Sequence, residues 1–214
     1  MRPGGLLVAA GVLVVLAAVL IAALLTRGGP SPASSPYART SSNAPAPTKS
    51  RPPVRARFEL IQLSSSSGSR HPKHRMIRIR ARTTALRIKG VIVRVYTYGF
   101  FDRRRPASRL LGLFAGDARR RVRTHPQVVT LGSQAKRLRG IRQEHSVLRV
   151  RTLFSPQNHP ITALAVVQFR ARGHMRSGGK LLVRSTGTFF LRPGRHGWVI
   201  DGFQIRRRDR TRAG

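Results

Sequence analysis

The residues with the most to offer chemically are arginines. Three clusters stand out: Arg103-Arg104-Arg105, Arg119-Arg120-Arg121 followed by Arg123, and Arg206-Arg207-Arg208 followed by Arg210 and Arg212. Such clusters suit a polyanion backbone or anionic lipid headgroups. The nine residues Arg103, Arg104, Arg105, Arg119, Arg120, Arg121, Arg206, Arg207 and Arg208 are therefore expected to face a polyanion or a lipid surface. The formal charge is +36, from 42 Lys+Arg against 6 Asp+Glu, and only five of the basic residues are lysines. Two sources account for the excess. One is an anionic partner: nucleic acid, lipid headgroups or an anionic wall polymer. The other is coding bias, because a chain this rich in Arg, Ala, Gly and Pro reads as the product of a GC-rich genome. Either way the domain repels itself and binds polyanions in low salt.

The remaining reactive side chains offer little. With no cysteine in the chain, disulfides, thiolate metal sites and cysteine nucleophiles are excluded. Of the acids, Asp102 precedes three arginines, Asp117 reads as a helix cap, Glu144 lies in a polar stretch and Asp201 sits at a strand bulge. None reads as a buried general base. The seven histidines fall in turn-like segments, and the pair His71 and His74 is flanked by Arg70, Lys73 and Arg75, which repel a metal ion. No phosphate-binding glycine loop, nucleophile elbow or RNA-recognition signature is present. The expectation is a chain without catalytic, metal or cofactor sites.

Four regions must position these residues. Residues 1–27 form a short stub and an apolar run, Leu6 to Leu25, interrupted only by Gly11. That length suits an uncleaved transmembrane anchor, and Leu24-Leu25-Thr26-Arg27 is a poor cleavage site. The flanking charges, Arg2 and the amino terminus against Arg27 and Arg39, do not decide the topology. Residues 28–75 read as a disordered Pro/Ser-rich linker holding a short apolar run near Phe58. Residues 76–208 read as one folded domain, and 209–214 as a disordered tail.

Within the domain, Ala81, Ala85, Ile88, Ile92, Val95 and Gly99 recur at helical spacing, with Arg80, Arg87 and Arg94 on another face. Tyr96, Tyr98, Phe100 and Phe101 close that helix and are expected to fill the core rather than stack bases. A second helix carries Leu110, Leu111, Phe114, Ala118 and Val122, with Gly116-Asp117 splitting it. Residues 132–143 read as a basic helix or loop. Four antiparallel strands follow, over 146–154, 161–171, 180–191 and 198–206. A bulge at Asp201-Gly202 keeps Trp198, Ile200, Phe203 and Ile205 on one side, over the segment holding Leu110 and Phe114. The expected fold is α+β: an N-terminal transmembrane helix, then two or three helices packed on a curved four-stranded antiparallel sheet.

This order resembles the nuclear-transport-factor-2-like superfamily, in which helices close over a curled sheet. Gly197-Trp198-Val199-Ile200-Asp201-Gly202-Phe203 is similar to that superfamily's last strand. Tyr98-Gly99-Phe100-Phe101-Asp102 with Leu110-Leu111-Gly112-Leu113-Phe114-Ala115-Gly116-Asp117-Ala118 resembles the Mce-associated single-pass membrane proteins of actinobacteria. The resemblance implies a non-catalytic accessory or scaffold protein of a cell-envelope transport or secretion complex. It would be anchored in the cell membrane with its bulk outside the cytoplasm, and would act through contacts with other envelope proteins or with copies of itself. The alternative is a membrane-tethered binder of DNA or anionic lipid, such as a conjugation or type IV secretion assembly component, engaging its polyanion without sequence preference.

Overall fold

The computed structural model describes residues 55–63, 65–68, 74–102 and 106–213. Two short strands come first, β1 (Glu59–Gln62) and β2 (Ser66–Ser67). A helical block follows: α1 (His74–Tyr96), a π-helical turn (Thr97–Phe101), α2 (Pro106–Leu111), α3 (Gly116–Thr124), a 3-10 turn (Pro126–Val128) and α4 (Gln134–Arg137). Five strands complete the chain: β3 (Leu138–Gln143), β4 (Val147–Phe154), β5 (Pro160–Met175), β6 (Lys180–Gly194) and β7 (Gly197–Arg212).

Helix α1 is rich in β-branched residues, which locally favour a strand. Burial decides otherwise: Ala81, Ala85, Ile88, Ile92 and Val95 fall on one face and all lie in the core. The helix then widens into the π turn, where Gly99 lets the Val129 carbonyl approach. A Cβ at Gly99 would sit 1.9 Å from that oxygen, and the Leu131 amide donates to the Gly99 carbonyl at 3.0 Å. The widened turn stacks Phe100 on Tyr96, ring centres 5.6 Å apart, and brings Phe100 within 4.8 Å of Phe169. With Phe58 and Phe189, these rings fill the space between helices and sheet.

The sheet runs β1-β4-β5-β6-β7, with β2 beside β4 and β3 beside β5. Strands β1 and β2 pair with β4 in parallel; the other pairings are antiparallel. Strands β3 and β4 occupy the same edge of β5, and the break between them is sealed by two bonds. The Glu144 amide donates to the Arg170 carbonyl at 2.9 Å, and the Arg170 amide donates to Ser146 Oγ at 3.2 Å, so a side chain stands in for a ladder carbonyl.

The bulge in β7 is where the sequence places it: Phe190 pairs with Gly202 and Leu191 with Ile200, leaving Asp201 as the extra residue. Trp198, Ile200 and Phe203 are buried on the helix-covered side, and Ile205 packs against the same core. Leu113 and Ala115 fasten the α2–α3 connection to Ile200 through backbone bonds of 2.9 and 2.8 Å. Phe114 meets Phe203 edge-on with ring centres 5.6 Å apart.

Several expectations are corrected. The sheet has seven strands, not four. No helix among the described residues is long and apolar enough to cross a membrane, and the transmembrane helix expected over Leu6 to Leu25 lies outside the described residues. Part of the expected linker belongs to the folded unit: Ala56 and Phe58 are buried, and β1 pairs with Val147–Val150 of β4. The expected basic loop over 132–143 contains β3, whose sequence Leu-Arg-Gly-Ile-Arg-Gln lacks clean alternation. The tail expected from residue 209 is ordered as far as Arg212, because β7 stays paired with β6 to Lys180. Asp117 lies in the first turn of α3 and pairs with Arg120; the N-cap position is Ala115.

Candidate polyanion interface

The helices cover one face of the sheet, so strand alternation sends every second residue of β5, β6 and β7 to the opposite, outer face. Along β5, Phe169 and Ala171 are buried while Gln168, Arg170, Arg172 and His174 are exposed. On β6 the outward residues include Arg184 and Thr186, and on β7 Arg206, Arg208 and Arg210. The register brings these side chains together. Arg170 stands opposite Arg184, and Arg184 opposite Arg208, a row of three across three strands. The next row holds Arg142, Arg172, Leu182 and Arg210. The row on the other side holds Gln168, Thr186 and Arg206.

Neighbouring strands lie ~4.8 Å apart, so guanidinium groups in one row crowd each other. Like charges directly opposite cost roughly 0.2–1 kcal/mol per pair. The protein supplies almost nothing to offset this, because all six carboxylates are already engaged. Glu59 meets His145 at 3.5 Å, Asp102 meets Arg109 at 3.1 Å, Asp117 meets Arg120, Glu144 meets Arg172 at 2.9 Å, Asp201 meets Arg192 at 3.2 Å and Asp209 meets Arg207 at 2.6 Å. Among the described residues, of the arginines named on the outer face only Arg172 meets a carboxylate; Arg170, Arg184 and Arg208 make no ion pair there. Their counter-charge must come from outside the molecule.

No known protein family, curated protein or solved structure matches the chain.

The arginines singled out from the sequence divide by location. Arg206 and Arg208 belong to the outer face. Arg207, between them, points the other way and is only 13% exposed at its side chain. It pairs with Asp209, donates to the Gln127 carbonyl at 2.8 Å and to the Thr130 carbonyl, and lies over the Phe100 ring. Its expected place at a polyanion surface is thus corrected: it is a structural tie. Arg119, Arg120 and Arg121 are exposed on α3, on the helical side of the sheet. Arg120 is held by Asp117, and Arg121 packs over Phe203 at 5.2 Å from the ring centre. Arg103, Arg104 and Arg105 lie outside the described residues. The sequence pointed to Arg210 within its last cluster but not to Arg142, Arg170, Arg172 and Arg184, which stand next to no other arginine of those clusters. The signal that finds them is the alternation Gln168, Arg170, Arg172, His174 read with the hairpin register.

The interior presents no acid–base machinery among the described residues. Asp102, Asp117, Glu144 and Asp201 all sit at the surface in ion pairs. Among the described residues the one buried titratable group is Tyr96, whose hydroxyl lies 3.4 Å from Ser185 Oγ. Burial pushes its pKa up to about 12, against the opposing pull of the Ser185 hydrogen bond and the Arg207 charge. It stays a neutral phenol and serves the core. Tyr96 and Phe100 are buried, and Tyr98 and Phe101 pack against the same cluster, so none is free to stack a base. No group of metal-binding side chains occurs among the described residues.

Proposed function

We propose that this chain is a polyanion-binding module that grips a phosphate backbone through the outer face of its sheet, without reading sequence. The carrying observation is the row Arg170, Arg184 and Arg208, placed in register on three adjacent strands with no carboxylate to neutralise it. Guanidinium groups bind phosphate oxygens in a bidentate manner, and each neutralised phosphate releases condensed counterions. An arginine lattice on a rigid sheet engages a linear polyanion such as nucleic acid along its backbone.

A role through protein contacts alone fits this face less well, since protein interfaces build a core depleted in charge. A lipid surface also fits less well. The rows hold one apolar side chain, the half-buried Leu182, and the exposed Phe190 lies further along the same face of β6, so the charged part of the face offers little to insert.

The test is binding of two unrelated duplex DNA sequences across a salt series, set beside anionic vesicles. Equal affinity for both duplexes is expected, with log K falling against log salt at a slope of about −4 to −6, as for five or so phosphates. A shallow slope, or preference for vesicles over DNA, would overturn the reading.

A further inference from the structure

On the helical side, away from the arginine rows, a cleft of about 600 Å³ opens between α1 and the tips of the β4–β5 and β6–β7 connections. Its walls include Val91, Pro160, Pro193 and Trp198, and its polar side chains are Arg87, Arg94 and His159. No acid lines it. Val91 and Trp198 belong to the core and show the cleft little more than an edge, so its apolar surface comes mainly from Pro160 and Pro193, while both arginines are exposed. Arg87 and Arg94 are seven residues apart, two helical turns and ~10 Å along the same side of α1. Arg94 Nε reaches back to the Gly90 carbonyl at 3.3 Å, which holds its stem along the helix.

The walls are also fixed in advance. The turn carrying His159 is closed by the Ser155 amide donating to the His159 carbonyl at 2.8 Å, with Asn158 in the left-handed region at φ 61°. Arg80 of α1 clamps that turn by donating to the Asn158 carbonyl at 2.6 Å. A rigid pocket with an apolar wall and a few convergent charges is the usual form of a small-molecule site, and its volume falls within the ordinary range. Preorganisation of this kind lowers the ordering cost of binding.

From this geometry we infer that the cleft binds a small amphipathic anion: an apolar body lies against Pro160, Pro193 and the edge of Trp198, and a carboxylate, sulfonate or phosphate reaches Arg87 or Arg94. The reading is independent of the outer face, since none of its residues belongs to the arginine rows.

Trp198 is the chain's single tryptophan and lines this cleft, so it is a donor for any dye seated there, and the arginine variants locate the site. The full chain is titrated with 8-anilinonaphthalene-1-sulfonate, following energy transfer from Trp198, and in parallel with its uncharged analogue N-phenyl-1-naphthylamine. Saturable one-to-one transfer is expected, at least tenfold tighter for the sulfonate. Arg87→Gln with Arg94→Gln removes that preference, whereas Arg78→Gln with Arg82→Gln, the same charge change elsewhere on α1, leaves it intact. Transfer that is absent or unsaturable, equal affinity for the neutral analogue, or equal loss in the two double variants would each overturn the inference.

Discussion

The Arg207 guanidinium lies 5.2 Å from the centre of the Phe100 ring, while Arg208, the next residue, projects from the opposite face of the same strand. One arginine is thus spent inside the fold and its neighbour outside. Arg207→Gln is expected to lose the Asp209 pair, the carbonyl contacts and the ring contact together, lowering stability by about 2–3 kcal/mol. Arg208→Gln should leave stability unchanged or raise it by a few tenths of a kcal/mol, because it relieves Arg184. Urea unfolding of the two variants separates them, and equal loss in both would contradict the assignment.

The arginine row predicts a specific pattern of binding loss. Replacing Arg170, Arg184 and Arg208 together by Gln should weaken DNA binding and reduce the magnitude of the salt slope by about 2–3. The control triple Arg78→Gln, Arg82→Gln and Arg123→Gln removes equal charge from α1 and α3. It should shift affinity far less. If both triples weaken binding alike, net charge rather than the sheet face is responsible.

Tyr96 gives a pH dependence with a defined sign. Its pKa is raised to about 12 in the folded protein, so the folded state holds its proton more tightly than the unfolded chain. Its contribution is fully present below the ordinary tyrosine value near ~10, and is lost as pH rises from there toward the folded value. The total loss is on the order of 2–3 kcal/mol. Denaturant midpoints between pH 9 and 11.5 check this, and Tyr96→Phe should flatten the decline over that window.

Gly99 admits no side chain. A Cβ there would meet the Val129 carbonyl oxygen at 1.9 Å, and the clash is with backbone on both sides. Gly99→Ala is expected to cost about 3 kcal/mol and to displace the Phe100 ring, visible as lost near-ultraviolet circular dichroism. Gly90→Ala, where nothing lies within 4 Å of the added Cβ, should be neutral or stabilising.

How much of this could be read from the sequence follows the strength of each periodic signal. The buried face of α1 and the bulge at Asp201 were legible, because several apolar residues repeat at fixed spacing around a Gly. Strand β3 was not, since Gly140 and Arg142 break its alternation and they pair with His174 and Arg172, thirty or more residues away. Strand β1 was hidden for a similar reason: its four residues follow a Pro-rich stretch, and only the distant Val147–Val150 segment makes them a strand. The arginine rows were invisible to adjacency, because Arg170, Arg184 and Arg208 are neighbours only once both hairpins are in register.

Strand β7 ends the sheet, and among the described residues no strand pairs with its far side beyond the short bridge between Phe114 and Ile200. Its final stretch carries Arg206, Arg208, Arg210 and Arg212 in alternation. An open border of that length is normally an invitation to stack edge to edge into fibres. Here each incoming copy would bring the same four cations, so the border guards itself by repulsion. That protection is ionic, and it weakens as added salt shortens the Debye length to ~3 Å at 1 M. The chain should therefore be most soluble in dilute buffer and should self-associate as salt is raised.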